Sequence, residues 1–359
     1  MQSANVIIFE RNLRGHRLAA ARYLSSALPQ ATIVAIDAKA SSELYDVVIT
    51  KGSLKAIRYL FTKSLLWINS ADDKFFTYLL VATLRSLLGY PTTLNYYQAH
   101  LFTNTRRLKG LIKHLYFQMH RSISKKNTHI FYANDHLKRY FLHYRNCSFL
   151  PDSQMFDIPE DVTRSNMHLS NPSTIFLLIG ELTPRKGLGI ALSAFHKLAK
   201  ARESDFILRL VGRIEGLSDV DETYISELLK RKVIEIVDRS VSEEEFYTHM
   251  QESDFILLPY DKSFNGPSGI FGRAIQLNKR IIATNHGWIG TTASKYKIGE
   301  TFDSEDVEAF VALLSRSIDN PTPINNKGYQ KLRTEYSPSS YNYAVEEAIN
   351  RLTRPSSQH

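Results

Sequence analysis

The 359 residues include a single cysteine, Cys147, so no intrachain disulfide can form and a cysteine-rich metal site is excluded. A reducing compartment fits that composition. No apolar run approaches the ~20 residues that a membrane span requires. The longest, Phe75 to Leu88, is interrupted by Arg85 and reads as a core helix. Met1 to Phe9 gives way at once to Glu10 and Arg11, too soon charged for the apolar segment of a signal peptide, so the expected location is the cytoplasm. Neither a repeat of fixed period nor a metal constellation with ligand spacing is visible, and only the tail after Arg354 is of low complexity. No metal and no cofactor are expected.

Acid is scarce in one place. Between Lys74 and Pro151 there are twelve Lys and Arg against one acid, Asp135. The whole chain has 45 basic and 36 acidic residues, so the remainder holds 33 and 35, and the net charge of +9 resides in this segment. Its densest part runs Arg106, Arg107, Lys109, Lys113, Arg121, Lys125 and Lys126, interleaved with Leu108, Leu111, Ile112, Leu115, Tyr116, Phe117 and Met119. Apolar and basic residues at helical spacing suit a helix lying on an anionic membrane surface through residues 106–126, at the inner face of the membrane. An ordinary helix with a solvated charged face has the same pattern, as does a grip on nucleic acid, which lacks any reader motif here and is not expected.

The length suggests about two domains, and a composition of 43% hydrophobic and 23% charged residues is that of a folded chain. Short apolar runs alternate with longer helical patterns throughout. In the first half Val6 to Phe9, Thr32 to Ile36, Val47 to Ile49, Leu65 to Ile68, Thr92 to Tyr96, His129 to Tyr132 and Cys147 to Leu150 read as strands. Helices are expected at Arg17 to Leu28, Asp72 to Leu88, Arg106 to Ser124 and Asp135 to His143. The polar stretch Pro151 to Ser173 reads as a linker. A second series follows, with strands at Thr174 to Ile179, Phe206 to Val211, Val233 to Val237, Phe255 to Leu258 and Arg280 to Thr284. Its helices are placed at Gly187 to Ala201, Tyr224 to Arg231, Ser242 to Gln251 (opened by a Ser242/Glu245 capping box) and Ser268 to Gln276. A last helix covers Tyr341 to Leu352. Strand followed by helix, repeated, predicts parallel sheets covered on both faces. The domains are then 1–150, a linker 151–173, 174–335, and a C-terminal helix with a polar tail, 336–359.

The strand Thr174 to Ile179 ends in Gly180, Glu181, Leu182, Thr183, Pro184, Arg185, Lys186 and Gly187 before a helix. A glycine turn that hands two cations to a helix N-terminus suits an anion, phosphate above all, because free N–H groups and the helix dipole point at it. Lys186 supplies a mobile point charge, Arg185 or Arg213 a planar fork, and Gly212 allows a close backbone approach. The turn Asn265, Gly266, Pro267, Ser268, Gly269 leads into another helix and offers a second cradle; Arg273 lies inside that helix, facing a nucleotide or the surface. In the first half Gly15 and His16 stand at a helix start as candidate acceptor contacts, and His100 follows a strand and two tyrosines. The plainer readings are a solvated first turn, a simple strand-to-helix turn and structural histidines.

From Thr174 to Leu314 these features resemble the donor-binding domain of the group 1 (family 4) retaining glycosyltransferases. The features are Gly180, Leu182, Lys186 and Gly187, then Leu210 to Gly212, Ser242 to Tyr260 and Gly266 to Thr284. The resemblance implies the GT-B fold, two facing Rossmann-like domains with parallel sheets, whose final helix crosses back to the N-terminal domain. It further implies transfer of a sugar, with retention and without a metal, from a nucleotide diphosphate sugar to a lipid-linked or surface-glycan acceptor, with Lys186, Arg185 and His100 at the reacting centre. The family has a cation at position 181 and glutamates at 265 and 273, where this chain has Glu181, Asn265 and Arg273. A non-catalytic relative that binds nucleotide sugars or glycans is the alternative.

Overall fold

The computed structural model describes residues 5–11, 16–36, 46–49, 55–72, 74–97, 108–124, 126–133, 138, 141, 146–156, 173–202 and 205–353. They form two compact units, Met1–Asp157 with Tyr336–His359, and Ile158–Glu335. The first contains β1 (Val6–Glu10), α1 (His16–Ala27), β2 (Thr32–Ile36), β3 (Val47–Ile49), α2 (Lys55–Leu60), β4 (Leu65–Ile68), α3 (Phe75–Leu87), β5 (Thr92–Tyr96), α4 (Leu108–Ile123), β6 (Thr128–Tyr132) and β7 (Cys147–Phe149). The second contains β8 (Thr174–Ile179), α5 (Leu188–Ala201), β9 (Phe206–Val211), α6 (Asp219–Lys230), β10 (Ile234–Val237), α7 (Glu243–Glu252), β11 (Phe255–Leu258), α8 (Gly269–Gln276), β12 (Arg280–Thr284), α9 (Gly287–Tyr296), β13 (Glu300–Phe302), α10 (Val307–Asp319) and α11 (Asn326–Glu335). The C-terminal helix, α12 (Pro338–Thr353), packs on the first unit. The helix expected over Asp135 to His143 lies almost wholly outside the described residues.

Both sheets are parallel, as strand–helix alternation requires. Their orders are β3-β2-β1-β4-β5-β6-β7 and β10-β9-β8-β11-β12-β13. In each, the first strand has the second on one side and the fourth on the other. Such a reversal opens a crevice at the carboxyl ends of the two central strands, β1 and β4 in one sheet, β8 and β11 in the other, and ligands of doubly wound sheets bind there.

Alternation along β1 shows how the first sheet is covered. Ile7 and Phe9 join α3 and Phe117 of α4 on one face, whereas Val6 and Ile8 meet Leu24 of α1 and Tyr341, Ala344, Val345 and Ala348 of α12 on the other. Trp67 stacks on Phe131 at 5.1 Å within that second face. Of the stretch read as a linker, Pro151, Asp152, Ser153 and Met155 are buried in the first unit, with one turn of 3-10 helix at Ser153–Met155. In the second unit Phe176, Leu208 and Phe255 pack on Leu192 and Phe195 of α5 and on Phe310 of α10.

The reading of Phe75 to Leu88 as a core helix needs correction. Phe75, Tyr78, Leu79 and Ala82 are buried, but Phe76, Leu80, Leu84 and Leu87 are exposed, because α3 lies on the face of a sheet and only one side of it finds partners. The charge that interrupts the run points inward instead. Arg85 is fully buried, and its five N–H groups reach Leu60 O, Thr62 O, Ser64 O, Pro91 O and Thr92 Oγ1, at 2.7 to 2.8 Å. Desolvation lowers its pKa to about 10, so it stays charged at neutral pH. Arg85→Leu strands these acceptors in the interior and is expected to destabilise the first unit by about 3 kcal/mol or more, read as a fall in denaturation midpoint.

One boundary differs for a local reason. α6 begins at Asp219, five residues before the expected Tyr224, because Ser218 and Asp221 make a reciprocal capping box. The elements α9, β13, α10 and α11 were not anticipated; α9, with two glycines and two threonines, lacks an apolar period strong enough to announce it.

Candidate functional site

The turn after β8 is shaped by glycines. Gly180 adopts φ 107°, a region that side chains avoid. Leu182 then pairs with Ile214, residues Pro184–Lys186 make a turn of 3-10 helix, and Gly187 (φ 80°) opens α5. A Cβ at Gly187 would stand 1.8 Å from Pro259 O, and one at Gly212 (φ 122°) 1.9 Å from Gly180 O. The close approach expected at Gly212 is therefore made by the protein's own backbone, locking the turns after β8 and β9 together.

This packing brings three loops to one place. Lys186 Nζ donates to the hydroxyl of Tyr260, just beyond β11, at 3.0 Å and lies 4.1 Å from the centre of that ring and 4.9 Å from that of Phe264. The Tyr260 hydroxyl is 3.2 Å from Ser268 Oγ at the start of α8. Arg185 lies over Phe264 at 5.2 Å, and its carbonyl accepts from Asp261 N. Tyr260 is held from behind, its carbonyl accepting from Thr284 Oγ1 at 3.0 Å, while His286 Nε2 donates to Asp261 O at 2.8 Å. Lys186, Arg185 and Ser268 are thus joined through Tyr260 and Phe264, two residues that sequence reasoning did not single out.

The two helix N-termini are not equivalent. A Cβ on Gly189, in the first turn of α5, would lie 3.3 Å from Asp221 Oδ1, and a cavity of about 170 Å³ beside it is lined by Asp221 and Asp261. The positive end of the α5 dipole already has carboxylates near it. At α8 no side chain caps the amides, because Ser268 Oγ is engaged by Tyr260; Gly266 borders open space, and Asn265 is exposed. An anion is therefore better received at the Gly266–Gly269 turn, with Lys186 alongside. Arg213 and Glu181 are exposed on the neighbouring turns. Arg273 turns away from this group: its guanidinium donates to the Tyr247 hydroxyl at 3.2 Å, pairs with Glu243 and lies over Phe246, all on α7.

In the first unit Gly15 and His100 lie outside the described residues, and His16 is described in backbone only, as the first residue of α1. At the carboxyl ends of β1, β4 and β5 a buried polar cluster stands instead. Glu10 Oε2 accepts from Ser70 Oγ at 2.6 Å and from Asn69 Nδ2 at 3.1 Å, and Glu10 Oε1 from Arg11 N at 2.8 Å. Asn95 and the Tyr97 hydroxyl donate to Asn69 Oδ1, and burial holds the Tyr97 hydroxyl well above its usual pKa, in the protonated form. A carboxylate directly ending an apolar strand was the signal available for it. Among the described residues no group of three or more His, Cys, Asp or Glu is placed to hold a metal, and no helix is long and apolar enough to cross a membrane.

Residues 161–337 match the family model described as glycosyl transferases group 1. Solved structures of the same architecture include HepE of Anabaena in complex with UDP, with 11% identity and a TM-score of 0.67 over 96% of this chain and 99% of that one. The lipopolysaccharide outer core galactosyltransferase WaaB gives 12% and 0.66 over 96% and 98%. A glycosyltransferase of Rickettsia africae gives 16% and 0.58 over 98% and 100%. The fold is the α/β, two-Rossmann-domain (GT-B) one. No protein of curated function matches the chain.

Proposed function

From a second unit that carries the group 1 glycosyl transferase domain, we propose that the protein is a metal-independent, retaining enzyme of the family 4 type. It moves a sugar from a nucleotide diphosphate sugar to a lipid-linked or surface-glycan acceptor in polysaccharide or glycolipid synthesis. The observation that carries this reading is the Lys186–Tyr260–Ser268 chain at the carboxyl ends of β8 and β11. There a cation fixed by an aromatic pair stands beside an uncapped helix N-terminus, an arrangement suited to a diphosphate. When the glycosidic bond to the donor breaks, negative charge gathers on the leaving diphosphate, and preorganised donors that face that charge lower the barrier without a metal. Arg185, exposed beside Lys186, adds a second positive field. The acceptor is assigned to the first unit, and the basic segment 106–126 to the anionic inner face of the membrane, where lipid-linked acceptors are found; both uses keep the protein in the cytoplasm.

Release of nucleoside diphosphate from a panel of nucleotide sugars, with and without lipid-linked acceptors, tests this directly. Uridine donors come first, since HepE was solved with UDP. Acceptor-dependent release from one donor is expected. Arg273 favours one competing reading: where the resemblance expects a glutamate, an arginine is clasped to α7. A non-catalytic relative would bind a nucleotide sugar and release nothing from any donor.

A further inference from the structure

α3 and α4 lie side by side. The Phe76 and Tyr116 rings are 5.9 Å apart, Thr83 Oγ1 is 2.8 Å from His120 Nδ1, and Asn127, beyond α4, donates to Ser86 O. These pairs advance together, so the two helices run in the same direction. Their inner sides are buried in the first unit's core, yet their outer sides are apolar as well. On α3, Phe76, Leu80, Leu84 and Leu87 recur at helical spacing, and Leu87 is 66% exposed. On α4, Leu111, Leu115 and Met119 recur every four residues beside Ile112, and Leu115 is 59% exposed. Phe76, in contact with Tyr116, joins the stripes. Monomers in water rarely display that much apolar side chain on adjacent helices.

We infer that the outer faces of α3 and α4 insert together into the acyl boundary of an anionic bilayer, α3 as a second wedge beside the basic helix; this rests on the membrane reading proposed above. Charge selects the occupant. The segment 74–151 carries twelve cations against Asp135, and among the described residues only Arg85 of these is withdrawn into the interior. Lys74 and Lys126 are exposed at the ends of the pair, with Lys113 and Arg121 half-buried along α4. A second copy of the chain would set one such excess of positive charge against another, whereas acidic lipid headgroups neutralise it. The basic residues hold the surface at the headgroups, and the leucines of both helices reach past them. Attachment then has an apolar component that salt does not screen.

The test is sedimentation of the full chain with phosphatidylglycerol-containing vesicles, at low and at high salt, for the wild type, for Leu80→Glu with Leu84→Glu, and for Lys74→Glu with Lys126→Glu. The leucine pair is exposed, so the variant is expected to keep the wild-type circular dichroism and melting profile. It should lose vesicle binding about a hundredfold, through the lost apolar burial and the added repulsion. The wild type should retain part of its binding at high salt. If high salt abolishes wild-type binding altogether, or if Leu80→Glu with Leu84→Glu binds as the wild type does, the insertion is wrong. A concentration-dependent dimer that the leucine substitutions dissociate, without vesicle binding, would assign the face to a second copy and also overturn it. Nucleoside diphosphate release measured without vesicles should be equal in wild type and variants; its absence from all of them would tell against the transferase reading and leave the inference intact.

Discussion

Lys186→Ala lowers sugar transfer by about two to three orders of magnitude in turnover, with a much smaller change in nucleotide affinity. That is the size seen when one fixed donor facing transition-state charge is removed. The argument rests on how Lys186 is held. Its Nζ is pinned by the Tyr260 hydroxyl and lies close over the Tyr260 ring, so little side-chain freedom remains to be lost when the diphosphate departs. Arg185 is exposed and reaches only the Phe264 ring, and its truncation is expected to matter far less. Lys186→Arg is no conservative replacement, because a planar fork cannot donate to the Tyr260 hydroxyl from the same place. Tyr260→Phe keeps the charge but frees it, and a loss of about tenfold follows. Single-turnover transfer, with nucleotide affinity measured separately by calorimetry, checks the series. Wild-type transfer by Lys186→Ala would remove Lys186 from the mechanism.

A second large effect is expected in acid. His120 and His129 are both buried in the first unit, and desolvation lowers their pKa values to about 4 and about 3. His120 lies between Thr83 and Ser124, and His129 faces Ser148 with the positive charge of Arg351 nearby. Both are neutral in the fold, whereas the unfolded chain protonates its histidines near pH 6.5. Below that pH the unfolded state holds more protons. Stability therefore falls as pH falls from 6.5, until each native pKa is passed. The loss by then is about 3 kcal/mol for His120 and about 5 kcal/mol for His129, upper figures because water entering the fold reduces them. Together they are comparable to the whole stability of a domain. In the second unit, burial also lowers the pKa of His249, which is half-buried. The first unit should therefore lose its structure first on acidification. With only two tryptophans in the chain, Trp288→Phe leaves Trp67 as a reporter of the first unit, and Trp67→Phe leaves Trp288 for the second. The Trp67 signal should change at the higher pH, and His129→Gln should move that change to lower pH. Coincident transitions would contradict this account.

How much of this could be read in the residues varies with the physics involved. Strands such as Thr174–Ile179 and Phe255–Leu258 were placed to the residue, because a strand buried on both faces is a continuous apolar run with polar ends. The capping box at Ser242 likewise fixed the start of α7, since its hydrogen bonds are local. Arg85 defeated the same logic: a charge within an apolar helix looks like an outward position, and only the carbonyls of Leu60, Thr62, Ser64 and Pro91, distant in sequence or across a turn, show that it points in. Lys186 was legible as a cation before a helix. Tyr260 was not, for its meaning lies in contacts with residues 74 positions earlier and 8 later. Gly212 was seen as a site of close approach, but the partner, Gly180, is set by neighbouring parallel strands, which no local pattern reveals.

The C-terminal helix has a consequence for the order in which the chain matures. Tyr341, Ala344, Val345 and Ala348 cover the face of the first sheet that presents Val6, Ile8 and Trp67. On the ribosome the first half emerges early with that apolar face covered only in part, by α1, whereas Ile158–Glu335 is continuous and can close its own core as soon as it is synthesised. The half made first is completed last, and until α12 arrives it is the natural client of a chaperone.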